Sequence, residues 1–188
     1  MPLRRFPVLE AGALSVLSAL LFYFFFQINH WLTEHLEHSQ YINWLFLPGG
    51  LRVLLVLVLG LSGAFGIVLG SWAVSFSEDP VWSWLMLGNG LISGLTPWLI
   101  MRWMMHSQDL RTHLPLITPR RLIGFVLVYA LANALFHHLF WWVLSEDRWP
   151  QVQGFLPMTI GDAMGALVLL YCLKWTLDRW PLPTPDPR

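Results

Sequence analysis

A few polar residues stand inside long apolar segments, where a charged side chain is costly and usually has a function. Arg52 and Asp162 are the two charged residues that are not easily assigned to a loop. Each follows the start of its segment by about two helical turns, so both lie roughly 10 Å below one surface of a membrane. Other polar residues fall near that depth, namely Asn89, His137, Asn133, His138, Asn29 and His30. We predict a polar, ligand-binding cavity that opens to the outside and is bordered by Arg52, Asn89, His137 and Asp162.

Two other interpretations of Arg52 and Asp162 remain open. The two side chains form a buried ion pair that locks two helices together, or Arg52 extends its guanidinium to the outer headgroups. A substitution separates the ligand site from the structural ion pair. If the cavity binds a ligand, Asp162→Asn weakens the ligand response and leaves the protein folded. If the substitution unfolds the protein, the ion pair is the better interpretation.

A second candidate site follows the first apolar segment. His30, Glu34 and His38 have the i, i+4 spacing that brings side chains to one face of a helix. Neutral imidazoles and a carboxylate suit zinc, copper or nickel, and His137 or His138 would supply a fourth ligand. The alternative interpretation is a solvated, amphipathic extension of the helix. No other cofactor is implied.

Sequence motifs for catalysis are absent. The sequence has no G-x-S-x-G element, no P-loop and no G-x-G-x-x-G in a strand–helix context. The carboxylate pairs Glu78-Asp79 and Glu146-Asp147 lie in loops at the ends of apolar segments. We therefore expect that the protein is not an enzyme.

Composition identifies the environment of these residues. Of 188 residues, 56% are hydrophobic and only 12% are charged, against about 25% in soluble domains. The formal net charge of +0 leaves no basic face for nucleic acid. Cys172 is the single cysteine, which excludes an intrachain disulfide. We expect an integral membrane protein with one helical domain over residues 1–180 and a disordered, proline-rich cytoplasmic tail over 181–188.

Six apolar segments predict membrane helices, at about 11–32, 44–60, 62–76, 81–105, 120–144 and 155–177. The second and third share one apolar stretch, from Leu51 to Phe76, which is interrupted by Gly60, Ser62, Gly63 and Gly66. This stretch predicts two short helices or a re-entrant turn. The expected fold class is an all-α, polytopic membrane bundle of about six transmembrane helices.

The distribution of charge predicts the orientation, since basic residues favour the cytoplasmic side. With both termini inside, the cytoplasmic residues are Arg4, Arg5, Arg102, Arg111, Arg120, Arg121, Lys174, Arg179 and Arg188. The outer loops then carry Glu34, Glu37, Glu78, Asp79, Glu146 and Asp147, with Arg148 the one basic residue. The expected location is a bacterial-type inner membrane, crossed several times.

Pairs of small residues four apart predict close helix packing, because lipid gives no hydrophobic drive for helices to associate. The pairs are Gly66 and Gly70, Gly90 and Gly94, Ala130 and Ala134, and Gly161 and Gly165. These faces suit a tight bundle, a protein partner or a homo-oligomer, and the outer surface contacts membrane lipid.

Several motifs occur in a recognisable order. They are Trp44-Leu-Phe-Leu-Pro48-Gly49-Gly50-Leu51-Arg52, Phe65-Gly66-Ile-Val-Leu-Gly70, Gly88-Asn89-Gly90 and Gly161-Asp162-Ala-Met-Gly165. Their order, kept from about Trp44 to Trp175, resembles the MASE1 family of membrane sensor domains. The resemblance touches Pro48, Gly49, Asn89 and Asp162 and implies sensing. Members of that family usually precede a cytoplasmic kinase or diguanylate-cyclase domain, whereas here we expect a stand-alone domain without an output domain.

Three functions are consistent with the sequence. The first is a sensory or accessory subunit that binds an unknown signal from the outer side and signals through a partner protein. The second is a small-molecule-binding subunit of an uptake transporter, similar to the substrate-binding components of energy-coupling vitamin transporters. The third is a structural or assembly subunit without a ligand.

Overall fold

The computed structural model describes residues 7–39, 42–107, 119–144 and 153–179. Within these ranges the chain forms six α-helices, one short 3-10 helix and a two-stranded antiparallel sheet. The helices are α1 (Val8–Thr33), α2 (Leu47–Leu59), α3 (Leu61–Glu78), α4 (Trp84–Ser107), α5 (Pro119–Leu144) and α6 (Phe155–Arg179). The 3-10 helix (Glu34–Leu36) and the strands β1 (Glu37–Ser39) and β2 (Ile42–Asn43) connect α1 to α2. The fold is therefore helical as predicted, with one small hairpin that the sequence did not predict.

Four helical segments are long and apolar enough to cross a membrane, as judged by length and composition over the described residues. They are Val8–Leu36, Trp84–Met105, Pro119–Leu144 and Phe155–Thr176. Part of the predicted charge pattern lies outside the described residues, namely Arg4, Arg5, Arg111, Glu146, Asp147, Arg148 and Arg188. The predicted tail, 181–188, lies outside them as well.

Helix α2 occupies the centre of the bundle. The other helices follow one another around it in the order α1, α3, α4, α5 and α6, and α2 packs on α1, α3, α4 and α6. Most of its residues are buried, including Leu51, Arg52, Val53, Leu55 and Val56. A helix that is apolar on all sides is typical of such a buried position. The central location of α2 is what removes Arg52 from both water and lipid.

Gly60 divides α2 from α3 without an intervening loop. Its φ of 60° and ψ of −127° end α2 at Leu59, and α3 begins at Leu61. The break predicted in this apolar stretch is thus confirmed. At about 1.5 Å per residue, the 13 residues of α2 extend about 20 Å, which is less than the roughly 30 Å of a bilayer core. Helix α2 is therefore too short to cross a bilayer core of ordinary thickness.

Replacing Gly60 with alanine is expected to destabilise the protein by about 1–3 kcal/mol, because a side chain disfavours this backbone conformation. A Cβ at Gly60 would meet no atom within 4 Å, so the loss would come from the backbone alone. Thermal unfolding of the purified protein measures it. Gly12→Ala is the matched control, since its Cβ also meets nothing within 4 Å and the residue is helical. Equal melting temperatures for the two variants would contradict the prediction.

Two buried asparagines join α1 to the hairpin and to α2. Asn43 donates from Nδ2 to the carbonyl oxygen of Thr33 at 3.0 Å and to its Oγ1 at 2.8 Å, which satisfies the last turn of α1. Asn29 of α1 accepts from the backbone N–H of Leu47 at 3.0 Å, at the first residue of α2. The end of α1 and the start of α2 are therefore joined by side chains, which holds α2 in position five residues before Arg52.

Candidate functional site

Arg52 and Asp162 meet in the interior of the bundle. The distance from Arg52 Nη1 to Asp162 Oδ1 is 3.7 Å, and the two side chains are 6% and 1% exposed. The rings of Phe22 and Phe46 lie 5.3 Å and 5.0 Å from the guanidinium carbon. These rings provide a cation–π environment in place of water. Arg52 thus points inward to Asp162 and not to the headgroups.

A chain of hydrogen bonds leads from Arg52 across two other helices. Arg52 Nη2 donates to Ser93 Oγ on α4 at 3.2 Å, and Ser93 Oγ lies 3.4 Å from His137 Nε2 on α5. His137 Nδ1 lies 2.9 Å from the carbonyl oxygen of Asn133, so Nδ1 carries the proton. In the neutral ring Nε2 is then an acceptor, and the Ser93 hydroxyl donates to it. The chain has one consistent direction, from the guanidinium to the imidazole.

Asp162 is held from α5 as well as from α2. Asn133 donates from Nδ2 to Asp162 Oδ2 at 2.7 Å, and both residues are almost fully buried. The Tyr129 hydroxyl accepts from Arg52 Nη1 at 3.5 Å. Because a buried charge is costly unless it is paired and hydrogen-bonded, these contacts explain how the bundle accommodates both ions.

Helix α4 contains a proline one turn after the Ser93 hydroxyl of this network. Pro97 lies inside α4, four residues after Ser93. A proline has no backbone N–H, so the carbonyl oxygen of Ser93 lacks the helical hydrogen bond that residue 97 would otherwise donate. Ser93 therefore combines a hydroxyl in the network with a carbonyl oxygen that lacks its helical hydrogen bond.

All four predicted site residues line one cavity, which we call the inner cavity. Its volume is about 60 Å³, enough for about four to six groups the size of water at roughly 10–15 Å³ each. Asn89 belongs to it and accepts from Trp141 Nε1 through Oδ1 at 2.7 Å. The full lining is Phe22, Phe26, Asn43, Phe46, Arg52, Ser71, Val74, Ser75, Asn89, Ser93, His137, Trp141, Met158 and Asp162.

A larger cavity of about 580 Å³, which we call the vestibule, adjoins the inner cavity. Phe26, Asn43 and Phe46 line both. The vestibule also contains the carboxylates of Glu37 and Glu78 and is otherwise lined by Tyr23, Gln27, Asn29, His30, Ile42 and Ser77. It lies where α1 and α3 end and the hairpin begins. The shared aromatic wall gives the inner cavity a route to that end of the bundle.

Glycines allow α6 to approach closely enough to place Asp162. A Cβ at Gly49 would lie 2.8 Å from Asp162 Oδ1, and a Cβ at Gly50 would lie 2.9 Å from the Cα of Ala166. On α6 itself, a Cβ at Gly161 would meet the carbonyl oxygen of Asn43, and one at Gly165 that of Phe46. The other predicted small-residue faces also have packing partners. Gly66 and Gly70 lie against α1, Gly90 lies against Trp72, and Gly94 lies against α3.

The predicted metal site requires a correction. Helix α1 ends at Thr33, Glu34 belongs to the 3-10 helix and His38 belongs to β1, so these residues do not share one helical face. His30, Glu34 and His38 are all exposed, and His38 packs edge-on against Trp44. Over residues 7–39, 42–107, 119–144 and 153–179, no three His, Cys, Asp or Glu residues are placed to hold a metal ion. The hairpin ends the helical spacing on which the prediction rested.

Several residues of the site were not singled out from the sequence, namely Phe22, Phe46, Ser71, Ser93, Tyr129 and Trp141. Helical spacing in the sequence could have identified some of them. Tyr129, Asn133, His137 and Trp141 follow one another at steps of four and share one face of α5, as Asn89 and Ser93 share one face of α4. Phe22 and Phe46 gave no signal, because aromatic residues are common throughout this chain.

Comparison with known proteins adds no relative. No protein-family model matches the chain, and no curated protein or solved structure matches it. The case for a function therefore depends on the geometry of the inner cavity and the vestibule.

Proposed function

We propose that this protein is an integral membrane sensory or accessory subunit that binds a small polar ligand from the outer side. The observation that carries the proposal is that Arg52, Asn89, His137 and Asp162, from four different helices, line one cavity. A purely structural ion pair needs no cavity. Binding at this place would move helices α2, α4, α5 and α6 relative to one another, which is a means of passing a signal to a partner protein.

The proposed arrangement in the membrane has both termini on the cytoplasmic side of a bacterial-type inner membrane. Helices α1, α4, α5 and α6 cross the membrane. The helix pair α2 and α3 enters the membrane from the outer side and returns to that side. Both termini are cytoplasmic whether the helix pair α2 and α3 crosses the bilayer fully or stops within it. Charge supports it, since Glu34, Glu37, Glu78 and Asp79 lie at the vestibule end and Arg102, Arg120, Arg121, Lys174 and Arg179 at the other.

The MASE1-like motifs support the sensory form of the proposal. Gly49 lies directly against Asp162, so two of the motifs on which the resemblance rests meet at the site. The size of the vestibule favours the second candidate, a binding subunit of an uptake transporter, because pockets for drug-sized ligands measure about 300–1,000 Å³. Isolation of the native complex distinguishes the candidates. A kinase or cyclase partner favours the sensor, ATPase subunits favour the transporter, and a stable enzyme complex favours an assembly subunit.

Cysteine labelling tests the side from which the cavity opens. We expect Ser77→Cys, at the vestibule, to react with a membrane-impermeant maleimide in intact cells. Arg179→Cys, at the end of α6, should react only after the cells are permeabilised. Both residues are exposed, and both variants carry Cys172→Ser, which removes the single native thiol. Labelling of Arg179→Cys in intact cells, without labelling of Ser77→Cys, would reverse the proposed orientation.

A further inference from the structure

The inner cavity has spare hydrogen-bond donors. Among the described residues that line it, Arg52 Nε and Ser71 Oγ are buried atoms without a partner. Arg52 Nε is a donor only, and a serine hydroxyl can donate. Two acceptors of the cavity are occupied, since Asp162 Oδ2 accepts from Asn133 and Asn89 Oδ1 accepts from Trp141, whereas Asn133 Oδ1 beside the cavity has no partner. A ligand that satisfies Arg52 Nε must therefore supply a hydrogen-bond acceptor.

The ion pair with Asp162 also leaves part of the hydrogen-bonding capacity of the Arg52 guanidinium unused. A charge-assisted hydrogen bond between N and O is about 2.7–2.9 Å long, whereas Arg52 Nη1 lies 3.7 Å from Asp162 Oδ1. The rings of Phe22 and Phe46 are near the guanidinium, but they accept no in-plane hydrogen bond. The edge that carries Nε thus remains available for a second acceptor, and an anion is the acceptor that a cation binds most strongly.

The balance of charge limits how an anion can enter. An anion beside both Arg52 and ionised Asp162 would leave one uncompensated negative charge in a buried site, which is costly. The elements packed against this part of α6 are α2, α5 and β2. Of their described residues near Asp162, α2 contributes the charge of Arg52, α5 contributes the titratable groups of Tyr129, His137 and His138, and β2 contributes none. A proton on Asp162 restores neutrality next to the anion.

We propose that the inner cavity binds a small monovalent anion on the Arg52 guanidinium, and that Asp162 takes up one proton from water as the anion enters. This inference rests on the proposed function and names the chemical class of its ligand. The anion replaces the Asp162 carboxylate as counterion of Arg52, and the new O–H bond forms on Asp162. A volume of about 60 Å³ fits formate, nitrate or chloride and excludes a sugar acid such as gluconate.

Binding of formate to the purified protein tests the inference. We expect a saturable rise in melting temperature with sodium formate and none with sodium gluconate at equal ionic strength. Uptake of one proton for each anion makes the apparent dissociation constant rise about tenfold per pH unit while free Asp162 is ionised. Equal stabilisation by gluconate would overturn the inference, as would the absence of an effect from formate, nitrate and chloride.

Two variants assign the roles of the two residues. Asp162→Asn removes the negative charge, so formate should bind with no dependence on pH, in contrast to the weaker response that the sequence alone predicts for this variant. Arg52→Gln should abolish binding. Retained pH dependence in Asp162→Asn would contradict the role of Asp162. If either variant fails to fold, proton uptake by the wild-type protein in weakly buffered solution decides the matter. One proton for each bound formate is expected, and formate binding without proton uptake would overturn the coupling.

Failure of anion binding can be distinguished from failure of the proposed function. Labelling of Ser77→Cys and Arg179→Cys reports the membrane orientation and the side on which the vestibule opens. If that labelling is as expected and small anions do not bind, only the ligand class is wrong. If the labelling is reversed, the outer-side binding function fails whatever binds to Arg52.

Discussion

Replacing Arg52 with methionine is expected to lower the free energy of unfolding by about 3–5 kcal/mol, because it leaves an uncompensated charge in the core. Asp162 is 1% exposed and would keep only its hydrogen bond from Asn133. Thermal or denaturant unfolding in detergent measures the loss. Methionine keeps the apolar stem of the side chain and loses the guanidinium, so the double variant below is needed to assign the effect to the unpaired charge.

The double variant Arg52→Met/Asp162→Asn should recover most of the lost stability, since it removes both charges and retains an acceptor for Asn133. The exposed pair of Lys174 and Asp178 on α6 is the matched control. Exposed ion pairs contribute little, so Lys174→Met should leave the melting temperature nearly unchanged. If the double variant is as unstable as Arg52→Met, the loss has a cause other than the unpaired carboxylate.

Replacing Gly161 with alanine is expected to destabilise the bundle by about 1–3 kcal/mol, the usual cost of overpacking. The new Cβ would meet the backbone carbonyl of Asn43. Backbone atoms move less easily than the end of a flexible side chain, so β2 and α6 must separate. Because Gly161 directly precedes Asp162, the same variant should weaken formate binding, and both effects are read from one set of thermal unfolding curves.

Gly124→Ala on α5 is the control for this prediction. A Cβ at Gly124 meets no atom within 4 Å, and alanine stabilises a helix relative to glycine by about 0.5–1 kcal/mol. The two variants add the same methyl group and are expected to shift the melting temperature in opposite directions. A rise in stability for Gly161→Ala would show that α6 does not pack tightly on the hairpin.

Residues of the site could be predicted from the sequence where their depth in the membrane was enough to group them. Charged and polar residues in an apolar sequence are few, and helical rise converts their positions into depth, so Arg52, Asn89, His137 and Asp162 could be grouped before any packing was known. Tyr129 was not grouped with them, because a tyrosine in a membrane segment usually suits an interfacial position. Its place beside Arg52 depends on which face of α5 turns inward.

The position of α2 could not be predicted from hydropathy. A segment that is buried among other helices and a segment that faces lipid are both apolar, so Leu51 to Leu59 gave no sign of being central. The hairpin was missed for a related reason. Glu37–Ser39 is charged and polar and has little strand propensity, and its structure depends on Asn43 satisfying the end of α1.

The Gly60 turn has a consequence for the lipids around the protein. It exposes Val58 and Leu61, which are 63% and 44% accessible, and carries no charged residue that would anchor it among headgroups. In the proposed arrangement, with α2 about 20 Å long, acyl chains beneath the turn would bend inward or shorten to avoid a void. Such hydrophobic mismatch costs fractions of a kcal/mol per Å and sorts proteins among membranes. Bilayers of short-chain lipids should therefore relieve the mismatch at this turn, and thicker bilayers should strain the helix that carries Arg52.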